Sequence, residues 1–264
     1  PETDADALNA ALFAAVDSVD RQMSTWRADS DLNLLNTAPV GTWMNVPPEL
    51  MTVLTVSFQV ERISLGAFNI NVGDLLSAWG FGPSQGTTSA SQSSQADRQM
   101  RPSASARLEL DHHSRRARKS ETINLDLSGI AKGFGVDEMA RVMDAFRIPS
   151  WLVGIDGEMR AQGAKPDGSM WAVAHERPDR HVREAMGVIE LENMAVATSG
   201  NYRHFREVGG RTVSHTMNPR TGAPLQNEVA SVTVLASRCV IADAWATALM
   251  VMGVEAGLEV AQVQ

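Results

Sequence analysis

The sequence predicts an α+β fold in which mixed β-sheets pack against helices, and three observations carry that prediction. Apolar residues recur at spacings of three and four over residues 5–23 and again after Pro47, and residues 240–253 are apolar nearly all round. Between residues 151 and 236 the pattern changes to short apolar or alternating runs separated by turn formers, as strands require. The chain has 264 residues, 44% hydrophobic and 20% charged, which supplies core enough for one large domain spanning residues 1–264.

In order, Leu8, Leu12, Val16, Val19 and Met23 line one face of a first helix. Ser30 is placed to cap a short second helix. Residues 43–46 suit a short strand, and Pro47-Pro48 opens a helix to about Ser64 with Leu50, Val53, Leu54 and Phe58 inward. Gly66-Ala67-Phe68-Asn69-Ile70-Asn71-Val72-Gly73 breaks that pattern, and its small residues permit close backbone approach. A short helix follows over residues 74–79. Residues 84–105 carry almost nothing apolar to bury and predict a flexible surface insertion. Residues 108–112 start a strand, and His112-His113 with Arg115-Arg116-Ala117-Arg118-Lys119 reads as a solvated turn.

Alternation over residues 122–127 predicts another strand, followed by a glycine-containing turn and a helix to about Phe146. Strands are expected at 151–155, 159–162, 170–175, 187–191, 194–198, 212–215 and 229–236. Turns are expected at 156–158, 165–168 (a hairpin), 199–202 and 217–222.

Net charge is −8 and the sequence pI is about 5.3, with no long basic block, so nucleic acid is not expected as a partner. The single Cys239 excludes an internal disulfide and any multi-cysteine metal site. No apolar run reaches transmembrane length. The chain opens on Pro1 without a starting Met, as a trimmed mature form would.

Two stretches point to chemistry. Asp243 and Thr247 are the polar exceptions in the last apolar helix and, at i and i+4, share one face. Together they could serve a hard cation, or Asp243 could bond a backbone amide inside the core. Residues 126–135, Asp-Leu-Ser-Gly-Ile-Ala-Lys-Gly-Phe-Gly, run from strand through turn to helix. Free backbone N–H groups converge at such a helix start, and Lys132 adds charge, which suits an anion. The glycine spacing is not that of a phosphate-binding P-loop.

Taken together, several segments resemble one family. They are Met23-Ser24-Thr25-Trp26 with Asp29-Ser30; Gly66 to Gly73 continuing to Trp79-Gly80-Phe81-Gly82; Asp126 to Gly133; Ala197-Thr198-Ser199-Gly200-Asn201-Tyr202; Ser214 to Gly222; and the Asp243–Thr247 helix. In this order they resemble the ApbE-type FAD:protein FMN transferases, across nearly the whole chain. The resemblance implies an ApbE-like, T-fold-related architecture. It implies transfer of FMN from FAD to a Thr or Ser hydroxyl of an acceptor protein, release of AMP, and a Mg²⁺ requirement. It also implies a periplasmic, sometimes membrane-anchored protein serving a membrane electron-transfer subunit.

By position, the resemblance implies metal ligands at Asp243, Thr247 and the Gly129 carbonyl. It implies flavin and nucleotide contacts at Trp26, Ala67, Phe68, Asn69, Asp126, Lys132 and Met217, and His215 as the base for the acceptor hydroxyl, with Asp243 also essential to catalysis. Asn69, Asn71 and Asn218 depart from the family pattern, as does Ala246 where some relatives carry Asp. Water in place of the acceptor would make the same site a FAD pyrophosphatase, and the three asparagines would suit a non-catalytic flavin carrier. Thr88-Ser89-Ala90-Ser91 faintly resembles the family's acceptor motif and is a candidate for self-labelling.

Overall fold

A computed structural model describes residues 4–83, 100–203, 205–208 and 211–263. Most of the 84–105 insertion, including Thr88, lies outside the described residues.

The chain begins with α1 (Ala5–Met23) and α2 (Asp31–Thr37). Asp4 caps α1 by accepting from the amides of Asp6 and Ala7, and Ser30 caps α2 through Asn33, as expected of side chains that satisfy orphan helix amides. Then come β1 (Met44–Asn45), α3 (Pro48–Ile63), α4 (Gly73–Ala78), β2 (Leu108–Asp111) and β3 (Arg116–Lys119). Together β1, β3 and β2 make a small antiparallel sheet.

The expected solvated turn at 112–119 is half right. Residues 112–115 turn, but 116–119 form β3, with Arg116 paired to Asp111 at 3.0 Å and Arg118 to Glu109 at 2.5 Å across the hairpin. Both guanidinium groups also sit over the Trp43 ring, so cross-strand acids and an aromatic face stabilise a strand whose composition looks solvated.

Residues 122–127 are a second correction. Ile123, Leu125 and Leu127 are buried in the alternating way a strand would show, yet no ladder forms. Side chains stand in for the neighbouring strand. Asn36 accepts from the Leu125 amide and donates to its carbonyl, and Asn71 accepts from the Asn124 amide. The Asp126 amide bonds the Ile70 carbonyl. Satisfying the backbone is what matters, and Asn side chains do it here.

The second half contains α5 (Ala131–Ala145), β4 (Trp151–Ile155), β5 (Glu158–Gln162), β6 (Trp171–Glu176), β7 (Ala185–Leu191) and β8 (Ala195–Gly200). It continues with β9 (Phe205–Val208), β10 (Arg211–Ser214), β11 (Met217–Asn218), β12 (Ala223–Pro224), β13 (Ser231–Ala236), α6 (Cys239–Met252) and α7 (Val254–Ala261). Strands β13, β8, β5 and β4 form an antiparallel sheet in that order. The turn at 165–168 leads from β5 to β6, but these do not pair as a hairpin. Both edges of β5 are taken by β4 and β8, so β6 pairs with β7 in a separate ribbon. Ser199 and Gly200, expected in a turn, extend β8 opposite Val232 and Ser231.

One face of the four-stranded sheet (Trp151, Val153, Ala195) packs on Val136 and Ala140 of α5. The other (Leu152, Met159, Ala161, Val196) packs on Trp171, Val173 and Ile189 of the β6–β7 ribbon. Helix α6 runs through the middle, with Val240, Ala244 and Ala248 in the larger core beside α3 residues and Ile130. That central position explains why it is apolar all round. Gly253, at φ 80°, stops it.

Residues 100–105 are not loose. The carbonyl of Pro102 accepts from the Asn69 and Asn71 side-chain amides, and the buried Glu61 carboxylate accepts from the amides of Ala104 and Ser105. A hydrophilic segment stays ordered when its own backbone groups find buried partners.

Candidate functional site

Helices α5 and α6 meet at Gly133. A Cβ there would lie 2.6 Å from the Asp243 Cβ and would collide with the Cys239 carbonyl, so only glycine permits the crossing. The close approach lets the Gly133 amide donate to Asp243 Oδ2 at 2.8 Å. Asp243 is buried at 4% exposure. Burial pushes its carboxyl up to about 7, the nearby Glu158 charge adds to the rise, and the Gly133 bond and Lys132 offset only part.

One turn further along α6, Thr247 meets the turn after Asp126. A Cβ on Gly129 would sit 3.0 Å from Thr247 Oγ1 and 3.5 Å from a Phe68 ring carbon, so the Gly129 backbone lies against that hydroxyl. Ser199 Oγ of β8 is 3.2 Å from the same Oγ1.

These groups line one cavity of about 640 Å³. Its wall includes Ala67, Phe68, Asn69, Asp126, Gly129, Lys132, His215, Met217, Asp243 and Thr247. Of the residues expected to bind metal, flavin or nucleotide or to take the acceptor proton, Trp26 is the one that does not line this cavity, and it is 67% exposed. Asp126 is buried, and desolvation raises its carboxyl although it accepts from Ser128. His215 faces the Phe81 ring edge-on with centroids 6.4 Å apart.

Asn69 and Asn71 hold backbone. Both donate to Pro102, and Asn69 accepts from the Asn71 amide. A carboxylate could not donate to that carbonyl, so the amides at these two positions have a local structural reason. Asn218 accepts from the Arg220 amide and shapes its turn.

The turn between β4 and β5, expected at 156–158, also belongs to the site, which its sequence did not signal. Lys132 Nζ reaches Glu158 Oε1 at 3.0 Å and Asp156 Oδ2 at 3.7 Å. Burial works most strongly against the Lys132 charge, but Glu158, Asp243 and Asp156 together outweigh it and hold the ammonium above its ordinary value. Residues 156–158 read as a plain turn because nothing in their spacing reports a partner on α5.

Among the described residues no group of three or more His, Cys, Asp or Glu side chains gathers to hold a metal. The donors along the cavity wall are of another kind: the buried Asp243 carboxylate, the Thr247 hydroxyl and the Gly129 backbone. Hard oxygens in that number suit Mg²⁺, which takes one or two carboxylates and keeps waters or phosphate oxygens for the rest.

The sequence pattern of the ApbE family matches residues 2–264. A FAD:protein FMN transferase of Vibrio cholerae is 34% identical over 98% of this chain and 77% of its own length. One from Haemophilus influenzae is 34% identical over 94% and 73%. Among solved structures, the apo form of the Pseudomonas stutzeri flavinyl transferase ApbE superposes with a TM-score of 0.82 at 35% identity, covering 98% of this chain and 80% of that one. The Vibrio cholerae flavin transferase ApbE gives 0.85 at 34% identity, covering 99% and 83%. With its pattern matched end to end and relatives this similar over nearly its whole length, this chain belongs to the ApbE family.

Proposed function

We propose that this protein transfers FMN from FAD to a Thr or Ser hydroxyl of an acceptor protein, with Mg²⁺ held by Asp243, Thr247 and the Gly129 carbonyl. The observation that carries this reading is the meeting of three distant segments, around Gly129, His215 and Asp243, at one cavity large enough for a dinucleotide. The acceptor hydroxyl oxygen attacks the phosphorus on the FMN side of the pyrophosphate. A new P–O bond forms, the bond to the AMP phosphate breaks, and AMP leaves with the electron pair. His215 takes the hydroxyl proton, a role that suits an imidazole near neutral pH. Lys132 and the start of α5 face the negative charge of the phosphates. The cation, when bound, offsets charge on the pyrophosphate. Phe68 and Met217 offer apolar surface to the flavin or adenine. The same reading takes the acceptor to be a subunit of a membrane redox complex and the site of action to be the periplasm. Within the described residues no helix is long and apolar enough to cross a membrane.

Incubation with FAD, Mg²⁺ and a candidate acceptor tests the reading. It predicts stoichiometric AMP and a fluorescent acceptor band that survives denaturation. Free FMN and AMP without labelling would identify a FAD pyrophosphatase instead, and bound, uncleaved FAD a carrier.

A further inference from the structure

We propose that Glu158 is a positioning residue for the transfer reaction: it anchors Lys132 so that the remaining ammonium hydrogens point at the dinucleotide's phosphates. The proposal rests on the transferase reading for the identity of the ligand. Four observations support it. Glu158 is 2% exposed and lies on the cavity wall, at the start of β5. Its Oε1 holds Lys132 Nζ at 3.0 Å. Its Oε2 is buried and has no hydrogen-bond partner among the described residues. Asp156, the second acid near Lys132, is 3.7 Å away with a side chain 70% exposed.

A lysine ammonium has three hydrogens, and Glu158 Oε1 engages one. Asp156 is too distant for a good hydrogen bond, so hydrogens remain for ligand oxygens. Among the described residues no other side chain donates to this carboxylate. Were Lys132 to swing away, a buried charge would be left without its counter-ion, which is strongly unfavourable. Lys132 is therefore held by something that cannot easily exchange it for water. A flexible lysine stem is otherwise a poor aiming device, since ordering it costs rotamer entropy at every binding event. The β4–β5 turn removes that cost before the ligand arrives.

The opposite reading is that the pair merely neutralises Lys132 and competes with phosphate. A double-mutant cycle on FAD binding, read by flavin fluorescence in Mg²⁺ buffer, separates the two. Glu158→Gln and Lys132→Gln are each expected to weaken FAD about tenfold, roughly 1.4 kcal/mol. The double variant should be no weaker than Lys132→Gln alone, because on this proposal Glu158 reaches the phosphates through Lys132. Glu158→Asp, which keeps the charge and moves it, serves if the Gln variant fails to fold. Its smaller loss should likewise vanish in the Lys132→Gln background. Wild-type FAD affinity in either folded Glu158 variant, tighter binding, or losses that multiply in the double variant would overturn the proposal. If the unsubstituted protein fails to bind or cleave FAD, the transferase reading falls; if it does both and the cycle shows no coupling, only the role of Glu158 falls.

Discussion

Asp137 on α5 and Asp243 on α6 are both buried where the two helices cross, at 7% and 4% exposure, yet their surroundings differ. Asp137 is saturated. It accepts from the amides of Cys239 and Val240 at the start of α6, at 2.9 and 3.1 Å, and pairs with Arg160 at 2.9 Å and Arg238 at 3.6 Å. The Asp243 carboxylate, one turn along the same helix, accepts among the described residues from the Gly133 amide alone. The first carboxylate closes a helix end, where orphan amides and the helix dipole favour negative charge. The second is held short of partners at a cavity wall. A buried acid with all its partners in the protein is architecture; one left short of them is available to a ligand.

Exchange of each acid sharpens that contrast, and here the largest effects are expected. Asp243→Ala should lower Mg²⁺-dependent FAD cleavage at least about 100-fold while thermal unfolding moves little, because a costly charge leaves the core. Asp137→Ala should do the reverse. Leaving Arg160 and two helix amides without their acceptor should cost about 3 kcal/mol in denaturant unfolding, with turnover per folded molecule kept. Equal stability losses in the two variants would erase the distinction.

Gly133→Ala comes next. A methyl against Asp243 and the Cys239 carbonyl should force α5 from α6 and cost about 1–3 kcal/mol. It should also lower Mg²⁺ affinity, measurable by calorimetry.

The pH dependence of stability is a finer probe. Asp243 has a folded value of about 7, raised from 3.8. A raised carboxyl contributes stability at low pH that is lost as pH rises through about 7. Without divalent ion, Asp243→Asn should therefore unfold like the unsubstituted protein only below pH 3.8, and at progressively higher temperature as pH rises, with the gap widest at pH 8. Mg²⁺ should restore the unsubstituted protein at pH 8 and leave the variant unchanged. A gap independent of pH would contradict the assignment. Smallest of all, Ser199→Ala should raise the Mg²⁺ requirement only a few-fold, since it removes one bond from the Thr247 hydroxyl.

The same contrast explains what the sequence could and could not disclose. Helix α6 was legible because an unbroken apolar run has few other fates, and Asp243 and Thr247 stood out against it. The proximity of Gly129 to Thr247 was not readable from periodicity, because 118 residues separate them and no local pattern reports the contact (247 − 129). It was expected only from the family resemblance. Strand β3 was hidden because its basic residues gain their partners, Asp111, Glu109 and Trp43, only on folding. Residues 122–127 misled in the other direction. Their alternation reported burial correctly, but their backbone partners are asparagine side chains and irregular backbone, which alternation does not reveal. Glu158 was overlooked for the same reason as β3, since its partner Lys132 lies on another element.

Soaking crystals of the protein with Mn²⁺, as an anomalous stand-in for Mg²⁺, tests the metal assignment most directly. The account predicts one peak at about 2.0–2.3 Å from Asp243 Oδ1, Thr247 Oγ1 and the Gly129 carbonyl oxygen, absent in Asp243→Ala. A peak elsewhere, or the same peak in that variant, would contradict it.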